Sequence, residues 1–402
     1  MNVLVTASAR FVMTEDGKAW TSNASLGYSV WAEYLSAYDQ VHLLARAQHR
    51  ASPPVNSIQV SGPGVKLVPL PYFVGPEAFL RQYWAVKRTI RAALKEVEAV
   101  QLRIPCTIGT EVYHQLEAGR PYGVEVVADP YDSFAPGAVR HPLRPFFRWW
   151  FAEQLRKQCA NACAARYVTQ KALQQRYPCL HYSMGVANVN LEREMIVTQP
   201  RNYSDSKAPV NILIVGTMDQ LYKAPDVLIQ AVAHCVKAGL DLTLTLVGDG
   251  QYRADLERQA RRLGIGDRTY FCGQLANRTA VQRYLDQADL FILPSRQEGL
   301  PKAMMEAMAR ALPCIGSIVG GIPELLPAED LVPPGDVTAL TAKIQEVVQH
   351  PDRMSQMSAR NLATASQFDQ KTLQAQRAVF YHYVHEQTEK WLNQSRAILC
   401  VE

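Results

Sequence analysis

An α/β protein made of two doubly wound units is the fold class that this 402-residue sequence predicts. Three observations carry that expectation. Short apolar runs alternate with amphipathic stretches, a polar segment divides the alternation into two series, and the chain is longer than one small core requires. Strand–helix alternation of this kind calls for parallel sheets covered on both faces. Ligands are then expected at the carboxyl ends of the strands, in the cleft between the units.

The first series reads as strands over residues 3–6, 41–45, 65–70, 99–103, 124–128 and 167–169. Amphipathic helices are expected over 26–37, 78–97 and 144–165. Residues 198–209 are polar and contain Pro, Asn, Ser and Asp, so the domain linker is expected there. The second series has strands at 211–215, 242–247, 269–272, 290–293 and 314–316. Its helices are expected at 224–238, 251–263, 280–287, 301–310 and 337–348. Residues 354–392 are helical in pattern and carry Phe380, Tyr381, Tyr383 and Trp391. They either pack on the rest of the chain or form an exposed aromatic tail. The expected domains are 1–200, 201–365 and a terminal helical segment, 366–402.

Apolar residues make up 48% of the chain, with no low-complexity tract or repeat of fixed period, which implies a well-folded soluble protein. No apolar run approaches the length of a membrane span, and the first residues enter strand-like sequence without a signal-peptide pattern. The eight cysteines include no C-x-x-C pair; Cys159 and Cys163, one helical turn apart, suggest packing. A reduced, cytoplasmic chain without structural zinc or disulfides is expected. Charge is uneven. Residues 1–205 hold 22 Lys and Arg against 16 Asp and Glu, whereas the remainder holds 20 against 21. The first half therefore favours an anionic partner, either a phosphorylated acceptor or an anionic membrane surface. Nucleic acid is not an expected partner, because the excess is small and no recognition module is present.

The chemistry concentrates in the second half. Glu298-Gly299-Leu300-Pro301-Lys302-Ala303-Met304-Met305-Glu306 follows the apolar run 290–293 and spans a strand-to-helix junction. Pro301 suits a helix start, since its missing N–H has no intrahelical partner there. Free N–H groups at such a start favour an anion, and carboxylates on either side can accept bonds from hydroxyl-rich groups. A ligand with sugar, phosphate and ribose parts fits this arrangement. Two glutamates at this spacing, taken alone, are more often an N-terminal helix charge and a solvated helix residue; the segments around them favour function. Pro294-Ser295 precedes the pair, Glu306-Ala307-Met308-Ala309 closes it, and Gly320-Gly321-Ile322-Pro323-Glu324 follows after another strand. In this succession the chain resembles family 4 of the retaining nucleotide-sugar glycosyltransferases.

That resemblance implies the GT-B fold, with a C-terminal helix crossing back to the first domain. It implies that Glu298 orients the donor sugar, that Glu306 bonds the ribose hydroxyls, and that Gly299 and Leu300 offer backbone N–H groups to the sugar, with Pro301 beside them. In Gly216-Thr217-Met218-Asp219-Gln220-Leu221-Tyr222-Lys223 the family places a diphosphate-binding lysine, here Lys223. The chain departs from the family at Thr217, which stands where an arginine is common; Arg296 is the candidate to replace that charge. Gln274 and Leu275 match the region that shapes the base pocket, and a structural loop is the competing reading. Gly248-Asp249-Gly250 and Gly320-Gly321 read as turns needing bare backbone, and Glu324 as structural.

In the first domain the sequence from Thr6 to Gly27 reads as a long loop, with Gly17 or Gly27 near the donor phosphate. Asp129 occupies the region where many family members carry a histidine. It either contacts the donor sugar or acceptor hydroxyl as a catalytic group, or caps a turn before Pro130. Arg140-His141-Pro142-Leu143-Arg144-Pro145-Phe146-Phe147-Arg148-Trp149-Trp150-Phe151 mixes cations and aromatics. Arg144, Arg148, Trp149 and Trp150 mark either an acceptor or membrane surface or a helix with buried rings.

The expected activity is retaining transfer of a sugar from a nucleoside diphosphate sugar to a glycan or lipid-linked acceptor. No tightly bound cofactor or metal is implied. A peripheral position on the inner face of the cytoplasmic membrane is compatible with the charge distribution. Two rivals remain open: a nucleotide-sugar epimerase, and a non-catalytic carbohydrate-binding scaffold of transferase descent.

Overall fold

The computed structural model describes residues 1–23, 26–134, 142–189, 191–203, 209–275 and 277–399. Arg140 and His141 of the cation–aromatic segment lie outside them. The first sheet contains β1 (Asn2–Met13), β2 (Ala19–Thr21), β3 (Gln40–His49), β4 (Ile58–Gln59), β5 (Val65–Leu70), β6 (Ala99–Ile104), β7 (Gly123–Val126), β8 (Ala164–Tyr167) and β9 (Tyr182–Gly185). Its parallel body runs β5-β3-β1-β6-β7-β8-β9, and β2 pairs antiparallel with the far end of β1. The second sheet is β10 (Val210–Val215), β11 (Leu242–Val247), β12 (Thr269–Phe271), β13 (Leu290–Leu293), β14 (Cys314–Ser317) and β15 (Leu331–Val332). Its strands are parallel, in the order β12-β11-β10-β13-β14-β15. Every residue of β13 and β14 is buried, because helices cover both faces. These are the two Rossmann-like units of a GT-B fold.

Helix Gln370–Leu399 crosses back to the first sheet. Phe380, Tyr381 and Val384 are buried there with Tyr34, and the Tyr34 and Tyr381 rings stack at 4.3 Å. Each such side chain contributes about 2–3 kcal/mol of burial. Gly123 of β7 admits the helix, since a Cβ there would lie 2.7 Å from Val384 Cγ2. Arg377 fixes the register, with Nε 2.8 Å from Glu33 Oε2 and Nη1 donating to the Ala187 carbonyl at 2.9 Å. The tail reading gives way to the packed one.

Several expectations are corrected. The expected loop after Thr6 is largely strand: β1 continues to Met13, shifting register against β3 between Thr6 and Arg10, then turns through Gly17 (φ +76°) into β2. The polar residues Ser8 and Arg10 hide this extension from an apolar-run reading. The strand expected at 167–169 lies earlier, at Ala164–Tyr167. Pro301 is the cap of helix Lys302–Ala309, not its first residue, and its backbone is extended (φ −75°, ψ 108°).

Candidate active site

At the carboxyl end of β10 the chain turns at Gly216, and Lys223 folds back across it; a Cβ on Gly216 would sit 2.8 Å from Lys223 Cγ. Ala224, in the left-handed region at φ +52°, then starts helix Pro225–Lys237. The turn is backed by the β11 loop. Gly248 has φ +138°, and a Cβ there would come within 1.9 Å of the Gly216 carbonyl oxygen. That close approach accounts for Gly248-Asp249-Gly250 as a structural turn.

The neighbouring strand, β13, delivers Glu298. Its Oε1 lies 2.5 Å from Lys223 Nζ and accepts the Ser295 hydroxyl at 2.7 Å. Ser295 is itself fixed, its carbonyl accepting the Ser317 hydroxyl at 2.6 Å. Glu298 is 7% exposed and Lys223 24%. Among the described residues Glu298 Oε2 has no protein donor, so one carboxylate oxygen is free to accept from a ligand hydroxyl. Arg296 does not face this pair. Its Nη1 and Nη2 hold Asp226 Oδ1 and Oδ2 at 2.7 Å each, and Nη1 also donates to the Leu221 carbonyl at 2.9 Å. Its fork is therefore committed to tying down the Lys223 loop, and it does not supply the charge absent at Thr217. The Thr217 hydroxyl is local too, donating to Asp219 Oδ2 at 3.2 Å.

Gly299 meets the first domain: a Cβ would lie 2.9 Å from the Val127 carbonyl oxygen, just past β7. Leu300 packs against both cores, and Pro301 is buried. Behind them Gly320, at φ +52°, approaches so closely that a Cβ would reach 2.1 Å from the Glu298 carbonyl oxygen. Gly321 N–H donates to the Gly299 carbonyl at 2.6 Å. The glycine pair thus lets one loop lie flat against the other. Gln297 Nε2 reaches the Ser133 hydroxyl of the first domain at 2.7 Å.

Glu306 has a different cationic partner from Glu298. It lies on helix Lys302–Ala309, with Arg278 Nη2 3.6 Å from its Oε1. Burial raises its pKa, and the charges of Arg278 and Lys302 oppose that rise. Gln274 is exposed and Leu275 half-buried just beyond β12, where Gly273 pairs with Gly248. The structure therefore places this segment beside the Gly216 turn.

Asp129 follows the capping alternative. Oδ1 accepts from Tyr131 N–H at 2.8 Å and from the Tyr177 hydroxyl at 2.5 Å, while Oδ2 pairs with Arg176. At 2% exposure and with both oxygens engaged by protein donors, it serves here as a cap and ion-pair partner, and the structure favours that alternative over the catalytic one. Arg144 donates to the Phe134 carbonyl at 3.2 Å, and Arg148 donates to the Tyr131 carbonyl at 2.9 Å while covering its ring at 3.6 Å. Trp149 is 61% exposed, whereas Trp150 is half-buried against Phe151.

Glu324 is structural, as expected, and its partner lies in the other domain. Its carboxylate crosses between domains and accepts from the backbone N–H groups of Gln170 (2.5 Å), Lys171 (2.9 Å) and Ala172 (2.8 Å). It satisfies donors at the start of helix Ala172–Arg176 that would otherwise be orphaned. The sequence offered only an acid after Gly-Gly-Ile-Pro, with no sign of its partner. Among the described residues there is no group of three or more His, Cys, Asp or Glu placed to hold a metal, and no helix long and apolar enough to cross a membrane.

Residues 209–350 match the family described as glycosyl transferases group 1. Protein CapJ of Staphylococcus aureus is 24% identical over 359 residues, covering 88% of this chain and 89% of CapJ. Among solved structures, sucrose-phosphate synthase from Thermosynechococcus elongatus superposes with a TM-score of 0.71 at 18% identity, covering 95% of this chain and 98% of that one. HepE from Anabaena, solved in complex with UDP and glucose, gives a TM-score of 0.64 at 18% identity, covering 94% and 98%. The match over residues 209–350 agrees with the resemblance to family 4, and the solved structures share the fold.

Proposed function

We propose that this chain is a retaining glycosyltransferase that moves a sugar from a nucleoside diphosphate sugar to a hydroxyl of a glycan or lipid-linked acceptor, in surface polysaccharide or glycolipid synthesis. The observation that carries this reading is the Lys223 Nζ–Glu298 Oε1 contact at the carboxyl ends of β10 and β13. A diphosphate beside Gly216 would draw the ammonium toward itself, helped by the start of helix Pro225–Lys237. Glu298, relieved of its counter-charge, would align the sugar hydroxyls. Glu306 would take the ribose, Gly299, Leu300 and Pro301 would border the sugar, and Thr217, Gln274 and Leu275 would border the diphosphate and base. Front-side transfer follows: the leaving diphosphate accepts the acceptor proton, and Lys223 stabilises its developing charge. In this reading residues 1–200 bind the acceptor, 201–365 the donor, and 366–402 join them.

The UDP in HepE makes uridine diphosphate sugars the first donors to try. Incubating the protein with such donors separates the rivals. A transferase slowly releases nucleoside diphosphate or glycosylates an added acceptor, an epimerase changes the donor sugar alone, and a scaffold does neither. The exposure of Phe146 (51%) and Trp149 (61%) beside Arg144 and Arg148 favours a peripheral membrane surface on the first domain. Sedimentation with anionic vesicles should fall when Trp149 and Trp150 become alanine; unchanged sedimentation removes that surface.

A further inference from the structure

A second cavity, of about 580 Å³, lies beside the register shift between β1 and β3 and involves none of the donor-site residues. Its volume suits a ligand group. Ser8, Arg10, Thr21 and Arg46 supply polar wall, and Leu26 and Val74 apolar wall. Arg10 and Arg46 are direct partners across the parallel β1–β3 ladder, so both guanidiniums leave the same face of the sheet. Like charges placed opposite one another weaken a ladder. The described ion pairs include no carboxylate for either arginine. Arg46 is held rigidly all the same: Nη1 donates to the Phe73 carbonyl at 3.2 Å, Nη2 to that of Ser8, and the guanidinium lies 4.9 Å from the Phe73 ring centroid. Among the described residues its buried Nε has no acceptor. Burial and then the charge of Arg10 lower the Arg46 pKa. The register shift after Thr6 is what brings Arg10 into line with Arg46.

Two aligned, unneutralised guanidiniums beside hydroxyl groups form a receptor for an oxyanion. We propose that this cavity binds the oxyanion of the acceptor, a phosphate ester or a carboxylate, with Arg10 and Arg46 as its cationic wall and the Ser8 and Thr21 hydroxyls as further donors. The assignment rests on the reading of the first domain as the acceptor side. The excess of 22 basic over 16 acidic residues in positions 1–205 agrees with it.

Calorimetric titration of the full chain with inorganic pyrophosphate tests this, using Arg10→Gln, Arg46→Lys and Lys223→Ala. Arg10 is exposed, so its replacement leaves the fold intact. Two classes of site are expected in the unaltered protein. Lys223→Ala removes one, and Arg10→Gln weakens the other at least tenfold, with Arg46→Lys acting in the same direction. A parallel titration with methyl glucuronide tells carboxylate from phosphate, since only the preferred oxyanion shows the Arg10-dependent site. The proposal is overturned if neither anion binds, or if Arg10→Gln binds both as the unaltered protein does. A donor reading that failed would instead appear as unchanged binding in Lys223→Ala.

Discussion

Arg296 grips Asp226 through two parallel hydrogen bonds of 2.7 Å, joining the loop that presents Glu298 to the helix that follows Lys223. The pair is partly buried, at 15% and 21% side-chain exposure. Its geometry is bidentate, which a lysine cannot reproduce. Arg296→Lys should lower stability by about 1 kcal/mol and weaken nucleoside diphosphate binding by loosening the Lys223 loop. Asp226→Asn separates this from direct phosphate contact by Arg296. Under the clamp, calorimetry shows weakened binding in both variants; tighter binding in Asp226→Asn would mean that Arg296 meets the phosphate itself.

Glu324 latches the domains by accepting three backbone N–H groups from residues 170–172. Removing an acceptor leaves those donors dependent on water, and the contact between domains loses a charge-assisted anchor. Glu324→Ala should raise the donor KM several-fold and increase the radius of gyration in small-angle scattering. Unchanged scattering with unchanged KM would reduce Glu324 to a local helix cap.

Burial raises the Glu306 pKa above the ordinary glutamate value. The folded state therefore holds this proton more tightly than the unfolded chain, so ionising Glu306 costs stability as pH rises through its raised pKa. Ribose hydroxyls need the carboxylate as acceptor. Nucleotide affinity should accordingly decline, as pH falls, at a higher pH than a solvent-exposed glutamate would give. In Glu306→Gln that step in the affinity–pH profile should disappear; a step that persists belongs to another group.

Much of the second domain was legible because its strands carry their apolar residues either as a continuous buried run, as at β13, or in strict alternation with threonine, as at β11. The convergence of Lys223 and Glu298 followed from motif order. What escaped depended on partners distant in sequence. Arg296 looked available until Asp226, 70 residues away, was seen to occupy it. The choice between the catalytic and capping readings of Asp129 needed Tyr177 and Arg176, which engage its oxygens from more than 40 residues away. The extension of β1 escaped because its alternating polar residues face a cavity in place of a packed layer.

Turnover by Glu298→Gln tests the account most directly, because the proposed function has this carboxylate join the cationic loop to the sugar. The substitution keeps the shape and the Ser295 hydrogen bond but removes the charge facing Lys223. With circular dichroism and thermal unfolding close to those of the unaltered protein, release of nucleoside diphosphate from the donor should fall at least a hundredfold, about 2.7 kcal/mol in the barrier. Release at a near-normal rate would contradict the assignment of the donor site to Lys223 and Glu298.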